Sequence, residues 1–595
     1  MRKALRCALV LGALILAVLA PSILSTFNMT ILTSALVFAV FAVGLNIILG
    51  HGGMVSLGHA VFLGIGSYTC GLMVRAGHHD FLVNAICAVV FSSLAAIMIG
   101  PVVLRTRGTY FLMVTLAIGE VLRNVSISWR TVTGGDDGLT GINAGKAFGI
   151  DFGAGHNFYY LVLASLIVAL ALTSMLMNAP FGHALRAVRD NRSRVAVLGI
   201  HPTNVEVTAF VIAAAIAGFA GFLLAHEKAF VSPNVFSVET SAQAVLMVVV
   251  GGAGTLFGPV VGALIVEFIR GIGSVYTDRW QTVLGLLAVL IAINSRQILM
   301  ARLRAAFATR PAGRQQPSAI AEKTAAAPHR SKSAEQSRRV APARTTGEQP
   351  ILAVEHIAKR FGGLSVLTDI SFRVMPGERM GLIGPNGAGK TTFLNILSGI
   401  QQPSAGRVLY KGDDVTAMPA YTRAQRGVGR TFQIGNLFND CTVRENIALA
   451  LVARERLSLR FGRSLAGHAE LQQEAVDLLD KWSLRAFEHV PVRLLSYGQR
   501  RVVEIVLALA NKPQLLLLDE PAAGLSGAET KTIIETISAL DPALSILVVE
   551  HDMDLIFSLC DHVTVIAGGT VLADGAGDTV RRDQRVIDAY LGMPL

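Results

Sequence analysis

Charge is scarce in this chain, and cysteine is scarcer. Asp, Glu, Lys and Arg make up 16% of the 595 residues, while 52% are hydrophobic and the mean hydropathy is +0.53. That balance excludes an all-soluble protein, and the length exceeds what one hydrophobic core organises. The five cysteines, Cys7, Cys70, Cys87, Cys441 and Cys560, have no metal-ligand spacing and read as small, mostly apolar side chains. A net charge of +11 would suit a nucleic-acid partner, but its placement argues otherwise. Between Ala301 and Pro350, ten Lys/Arg stand against Glu322, Glu335 and Glu348, which accounts for +7 of the +11. This tract is rich in Ala, Pro, Ser and Gln and has no interleaved aromatics, so no nucleic acid is expected. A basic flank after a membrane span marks a cytoplasmic side.

The apolar residues are concentrated in the first 300. Runs near the 20 residues that a span requires are Ala4–Leu24, Met29–Leu49, Val55–Val74, Phe81–Leu104, Thr109–Ile127, Phe158–Asn178, Asn204–Ala225, Ser241–Ile269 and Thr282–Met300. Arg2, Lys3 and Arg6 ahead of a run ending Ala17-Val-Leu-Ala20 fit a secretory leader or a first anchor; the spans that follow at once favour the anchor. Those cations, with Arg105, Arg107, Arg186, Arg189, Arg192 and Arg194, mark inner loops. Nine simple crossings would leave the basic C-terminal linker outside. The parity is expected to fail at Ser241–Ile269, which is interrupted by Gly251-Gly252-Ala253-Gly254 and Gly258-Pro259. Eight or ten crossings follow.

Glu120, Arg123 and Asn124 share one helix face, as do Glu267 and Arg270, and such spacing favours local ion pairs over gates. The stretch 181–199, between two spans on the inner side, is amphipathic and basic. It is expected to be a helix that docks on the C-terminal half.

Four stretches, residues 50–70, Arg105–Arg123, Thr133–Gly141 and 181–200, resemble in this order the permease subunits of high-affinity branched-chain amino acid importers. The likeness covers most of residues 30–295. His51 stands where that family carries an aromatic.

Residues 350–595 read as a soluble α/β domain. Gly384-Pro385-Asn386-Gly387-Ala388-Gly389-Lys390-Thr391, with Thr392 behind it, is a P-loop between the expected strand Arg379–Ile383 and helix Thr391–Ser398. Its backbone amides suit phosphate oxygens, Lys390 suits the β- and γ-phosphates, and Thr391 suits Mg²⁺. The apolar strand Leu515–Leu518 ends in Asp519, suited to Mg²⁺, and Glu520, suited to polarising water. Ser496, Gly498 and Gln499, in Leu495-Ser-Tyr-Gly-Gln499, head a helix and offer amides to an anion.

This ordered set resembles the ABC ATPases. The resemblance implies that Gln433 contacts Mg²⁺ and couples the domains, that His551 senses the γ-phosphate, and that Phe361 stacks on adenine. Within the class, Arg430–Phe438, Pro521–Leu525 and Arg585–Leu591 resemble the ATPase subunit of branched-chain amino acid importers, although Ser526 replaces an aspartate that many ABC proteins carry.

The expected architecture is therefore a polytopic α-helical membrane domain (1–304), a disordered basic linker (305–349) and an α/β P-loop NTPase domain of ABC type (350–595). The linker tethers the ATPase and brings its basic residues near anionic lipid. The resemblance implies a multi-pass protein of the cytoplasmic (inner) membrane, with the ATPase facing the cytoplasm. It also implies ATP and Mg²⁺, a second permease and a second ATPase subunit (or a homodimer), an extracytoplasmic substrate-binding protein and a small-molecule solute. Related permeases carry urea, short amides or small aromatic acids, which stand as alternative solutes. An exporter would carry six long helices reaching into the cytosol, and a non-transporting regulator would lack spans or Glu520.

Overall fold

The computed structural model describes residues 2–142, 146–147, 150–152, 156–276, 279, 282, 284–286, 289, 349–432 and 437–590. They form two compact units, one of Met1–Arg189 and Thr203–Gln316, the other of Asp190–Pro202 and Pro317–Leu595. The expected linker, apart from Gln349, and most of the expected span Thr282–Met300 lie outside the described residues.

Among the described residues, six helices are long and apolar enough to cross a membrane: Thr26–His51, Phe81–Val103, Thr109–Ser128, Asn157–Asn178, Pro202–Lys228 and Gly258–Tyr276. Three shorter apolar helices, Leu11–Ile23, Ala60–Arg75 and Val238–Gly251, accompany them among the described residues. Helix Thr26–Asn46 is apolar all round and buried along most of its length, as a helix at the centre of a bundle must be.

The interrupted stretch at Ser241–Ile269 is a helical hairpin. Helix Val238–Gly251 ends at the glycines, and Gly258–Tyr276 folds back along it, with Gly262 against the Met247 carbonyl. Irregular backbone at this depth needs its polar groups satisfied from within the protein. Asn46 does this: its Nδ2 donates to the Thr255 carbonyl at 2.9 Å, and its Oδ1 accepts from the Gly254 amide at 2.8 Å. The expected local ion pairs form as well, Arg270–Glu267 at 2.8 Å and Arg123–Glu120 at 3.8 Å.

Small residues let the membrane helices approach closely. A side chain at Gly66 would meet the Gly218 carbonyl at 2.0 Å, and one at Gly221 would meet the Leu63 carbonyl at 2.0 Å. Ser67 Oγ donates to the Gly221 carbonyl at 2.8 Å across the same contact. Gly66→Val is therefore expected to destabilise the full chain by at least about 1–3 kcal/mol, seen as a lower unfolding temperature in detergent. Gly12→Val, where nothing lies within 4 Å, is expected to leave that temperature unchanged.

The second unit carries a ten-stranded sheet. Val428–Arg430, Leu515–Asp519, Ser545–Val549, Arg379–Ile383 and His562–Ala567 run parallel in that spatial order. Leu352–Phe361, Leu364–Val374 and Ala405–Tyr410 form an antiparallel wing. Leu515–Leu518 and Ile546–Val549 read as unbroken apolar runs because both faces are covered. Leu515 and Leu517 face one core with helix Lys390–Leu397, while Leu516 and Leu518 face another with helices Tyr497–Leu509 and Gly527–Ser538.

The sequence reading of 181–199 as one helix is corrected by the structure. Helix Pro180–Asp190 ends, and Asn191 takes an extended conformation and caps a second helix, Arg192–Val197, by accepting the Arg194 amide at 2.9 Å. An asparagine side chain competes with the helical backbone in this way and favours a new start.

Candidate functional site

Three neighbouring parallel strands end side by side, with Asp519 level with Val549 and Val549 level with Leu382. The residues that follow each strand therefore gather at one edge. After Ile383 comes the loop Gly384–Gly389, which opens helix Lys390–Leu397. Gly387 and Gly389 take φ of 84° and 90°, a left-handed backbone that favours glycine. A side chain at Gly384 would strike the Ile566 carbonyl at 2.2 Å, so the loop closes tightly on the sheet.

Asn386 and Gly387 are exposed at the loop's crest, Pro385 is half-buried and Ala388 is buried beneath. Lys390 is buried, and its Nζ donates to the Gly384 carbonyl at 2.5 Å and the Pro385 carbonyl at 3.0 Å. Burial holds its ammonium below the usual lysine range, while Glu520, Asp519 and Glu550 oppose that shift. Thr391 is exposed and Thr392 half-buried in the first helical turn.

Asp519 lies 2% exposed at its strand's end. One carboxylate oxygen accepts from Arg430 at 3.2 Å; the other, Oδ1, is buried without a hydrogen-bond partner. Arg430 is pinned in turn by Asn395 at 2.8 Å and Ser398 at 2.7 Å. Burial raises the Asp519 carboxyl above its ordinary range, with Arg430 pulling it down.

Glu520 takes a φ of 45°, which costs a non-glycine residue about 1–2 kcal/mol. Its amide donates to the Val549 carbonyl at 2.8 Å, and its carbonyl accepts from Arg501 Nη2 at 2.7 Å. His551 lies just past the next strand, with its ring exposed and Nδ1 3.5 Å from the buried carboxylate of Glu550. Glu550, which the sequence reading passed over, accepts the Ala522 amide at 2.8 Å and the His551 amide at 3.1 Å. A carboxylate closing an apolar strand beside His551 was the available signal. Phe361, 45% exposed, ends the first antiparallel strand with the Lys359 ammonium 5.1 Å from its ring centroid.

Ser496 and Gln499 form a reciprocal cap on helix Tyr497–Leu509, at 3.3 and 3.0 Å. A side chain at Gly498 would meet the Glu529 carboxylate at 2.8 Å. Ser526, in the departure from the aspartate pattern, caps its own helix by accepting the Glu529 amide at 3.4 Å and donating to the Glu529 carboxylate at 2.9 Å. Gln433 lies outside the described residues.

A glycine cradle, a buried lysine above it and an orphaned Asp519 oxygen beside it fit a polyphosphate with its divalent cation. Two outcomes follow. Arg430→Met leaves Asp519 buried and unpaired and is expected to destabilise the full chain by about 3–5 kcal/mol in thermal unfolding. Glu550 is held above the ordinary carboxyl range chiefly by burial. Its charge therefore weighs against the fold as pH rises through the folded value, and not below the unfolded value of about 4.3. Glu550→Gln should raise the unfolding temperature at pH 7, with the gain gone near pH 4; a gain equal at both would place its origin elsewhere.

Comparison with known proteins gives three family matches. Residues 27–293 match the branched-chain amino acid transport system / permease component, 367–523 match ABC transporter, and 570–592 match the branched-chain amino acid ATP-binding cassette transporter. The high-affinity branched-chain amino acid transport ATP-binding protein BraF of Pseudomonas aeruginosa is 38% identical over 254 residues, 41% of this chain and 98% of the relative. LivG of Escherichia coli, of the same description, is 38% identical over 251 residues, with the same coverage. The lipopolysaccharide export system ATP-binding protein LptB of Haemophilus influenzae is 32% identical over 243 residues, 41% of this chain and 97% of the relative. The chain belongs to the branched-chain amino acid family of ABC transporters, with the permease and the ATP-binding cassette joined in one polypeptide.

Proposed function

We propose that this chain imports branched-chain or related amino acids across the cytoplasmic (inner) membrane, driven by ATP hydrolysed at its cassette on the cytoplasmic side. The observation that carries the reading is the permease match over 27–293, since the cassette alone also resembles one of lipopolysaccharide export. In this reading residues 1–304 form the permease, 305–349 a tether and 350–595 the cassette. An extracytoplasmic binding protein delivers the solute.

The cassette's residues divide the work. Phe361 stacks on the adenine, and Gly384, Pro385, Asn386, Gly387, Ala388, Gly389, Lys390, Thr391 and Thr392 wrap the phosphates. Thr391, Gln433 and Asp519 hold Mg²⁺, which when bound neutralises charge on the phosphate oxygens. Glu520 takes the proton of the attacking water, and His551 holds the γ-phosphate, steadied from behind by Glu550. Gln433 reports nucleotide state to the permease.

Ser496, Gly498 and Gln499 serve the nucleotide of a second cassette. ABC cassettes and permeases work as dimers, so a second copy of each, from partner subunits or from another copy of this chain, completes the assembly. Closure of the two cassettes over ATP then switches the permeases between outward and inward access.

Glu520→Gln is expected to keep ATP binding while lowering hydrolysis at least about a hundredfold; undiminished turnover would remove its assigned role. Uptake of labelled L-leucine into proteoliposomes holding the complete assembly tests the solute. Uptake of urea or a small aromatic acid without leucine would reassign it.

A further inference from the structure

Arg194 sits in Asp190–Pro202, a segment flanked in sequence by membrane helices and belonging to the cassette's unit. Its guanidinium is buried and pairs with Glu504 Oε1 at 3.3 Å, both side chains being no more than 5% exposed. Glu504 interrupts the apolar run of helix Tyr497–Leu509, and its carboxylate binds Arg194, the Phe432 amide and Arg501. Oε1 also accepts the Phe432 amide at 3.0 Å, and Oε2 accepts Arg501 Nη1 at 2.8 Å.

Arg501 in turn donates to the Phe432 carbonyl at 2.8 Å and, through Nη2, to the Glu520 carbonyl at 2.7 Å. That last bond helps hold Glu520 in its left-handed backbone, which persists only where its surroundings fix it. The Phe432 ring has the Arg194 guanidinium 5.8 Å from its centroid and the Arg430 guanidinium 4.9 Å away. Arg430 is the partner of Asp519.

We propose that Glu504 is a positioning residue that ties Arg194 to the Glu520 backbone through Arg501, so that hydrolysis depends on where the 190–202 segment stands. The segment has other anchors that bypass this route: Asn511 Nδ2 donates to the Leu198 carbonyl at 2.9 Å, and Gln425 Nε2 to the Gly199 carbonyl at 2.7 Å. A role in docking alone would be shared among all of them. A relay role belongs to Arg194 and Glu504. Arg194→Gln leaves Glu504 paired with Arg501, so it cuts the link without stranding a buried carboxylate.

The test uses the full chain in lipid with the subunits that complete its assembly, and reads kcat and KM for ATP. Arg194→Gln is expected to lower kcat about tenfold with KM within about twofold, and Arg194→Lys to recover part of the loss. Glu504→Gln should match Arg194→Gln, and the double variant should be no slower than the slower single, since both break one link. Asn511→Ala should stay within about twofold of the unaltered chain.

Arg194→Gln with kcat within about twofold of wild type, a loss confined to KM, or an equal loss in Asn511→Ala would overturn the relay. If Glu504→Gln does not fold, the comparison of Arg194→Gln with Asn511→Ala still decides. The relay rests on the role given to Glu520. Undiminished turnover in Glu520→Gln would remove that role, whereas the Arg194 outcomes bear on the relay alone.

Discussion

The cassette depends on one alignment, the level ends of the strands Arg379–Ile383, Leu515–Asp519 and Ser545–Val549. Parallel strands in register deliver whatever follows them to a common edge, and here those followers are a glycine cradle, an Asp-Glu pair and a Glu-His pair. A slip of one residue would exchange the two faces of the central strand, moving Leu516 and Leu518 into the core of Leu515 and Leu517. The four consecutive leucines tolerate burial on either face, so register comes from the groups at the strand's end. Chief among these are the Arg430–Asp519 pair and the bond from the Glu520 amide to Val549.

That arrangement places several charges where water does not reach. Arg194, Arg430 and Arg501 are buried within a few residues of one another in space, and Glu504 and Asp519 answer them. Buried pairs add little net stability compared with apolar packing, but losing one partner is expensive. Such a cluster therefore fixes positions more than it strengthens the fold. Phe432 has the guanidiniums of Arg194 and Arg430 beside its ring.

Much of this was legible in the sequence because its physics is local. A P-loop needs glycines at fixed offsets, a buried parallel strand needs an apolar run, and a span needs length; each leaves a pattern in consecutive residues. The break at Gly251–Pro259 was legible for the same reason. What escaped was long-range pairing. Nothing near Asn46 announces that it clamps a loop more than 200 positions on, and nothing near Arg194 names Glu504 as its partner. Glu504 did leave a trace, as a lone acid in an apolar helical run. The division of 181–199 into two helices turned on a single side chain, Asn191, whose cap outweighed an otherwise continuous amphipathic pattern.

That division has a mechanical meaning. An unbroken helix is stiff in torsion and would twist whatever it joins, whereas two short rods meeting at an extended residue behave as a swivel. The joint, at Asn191, falls just past the point in the sequence where the compact units divide, between Arg189 and Asp190.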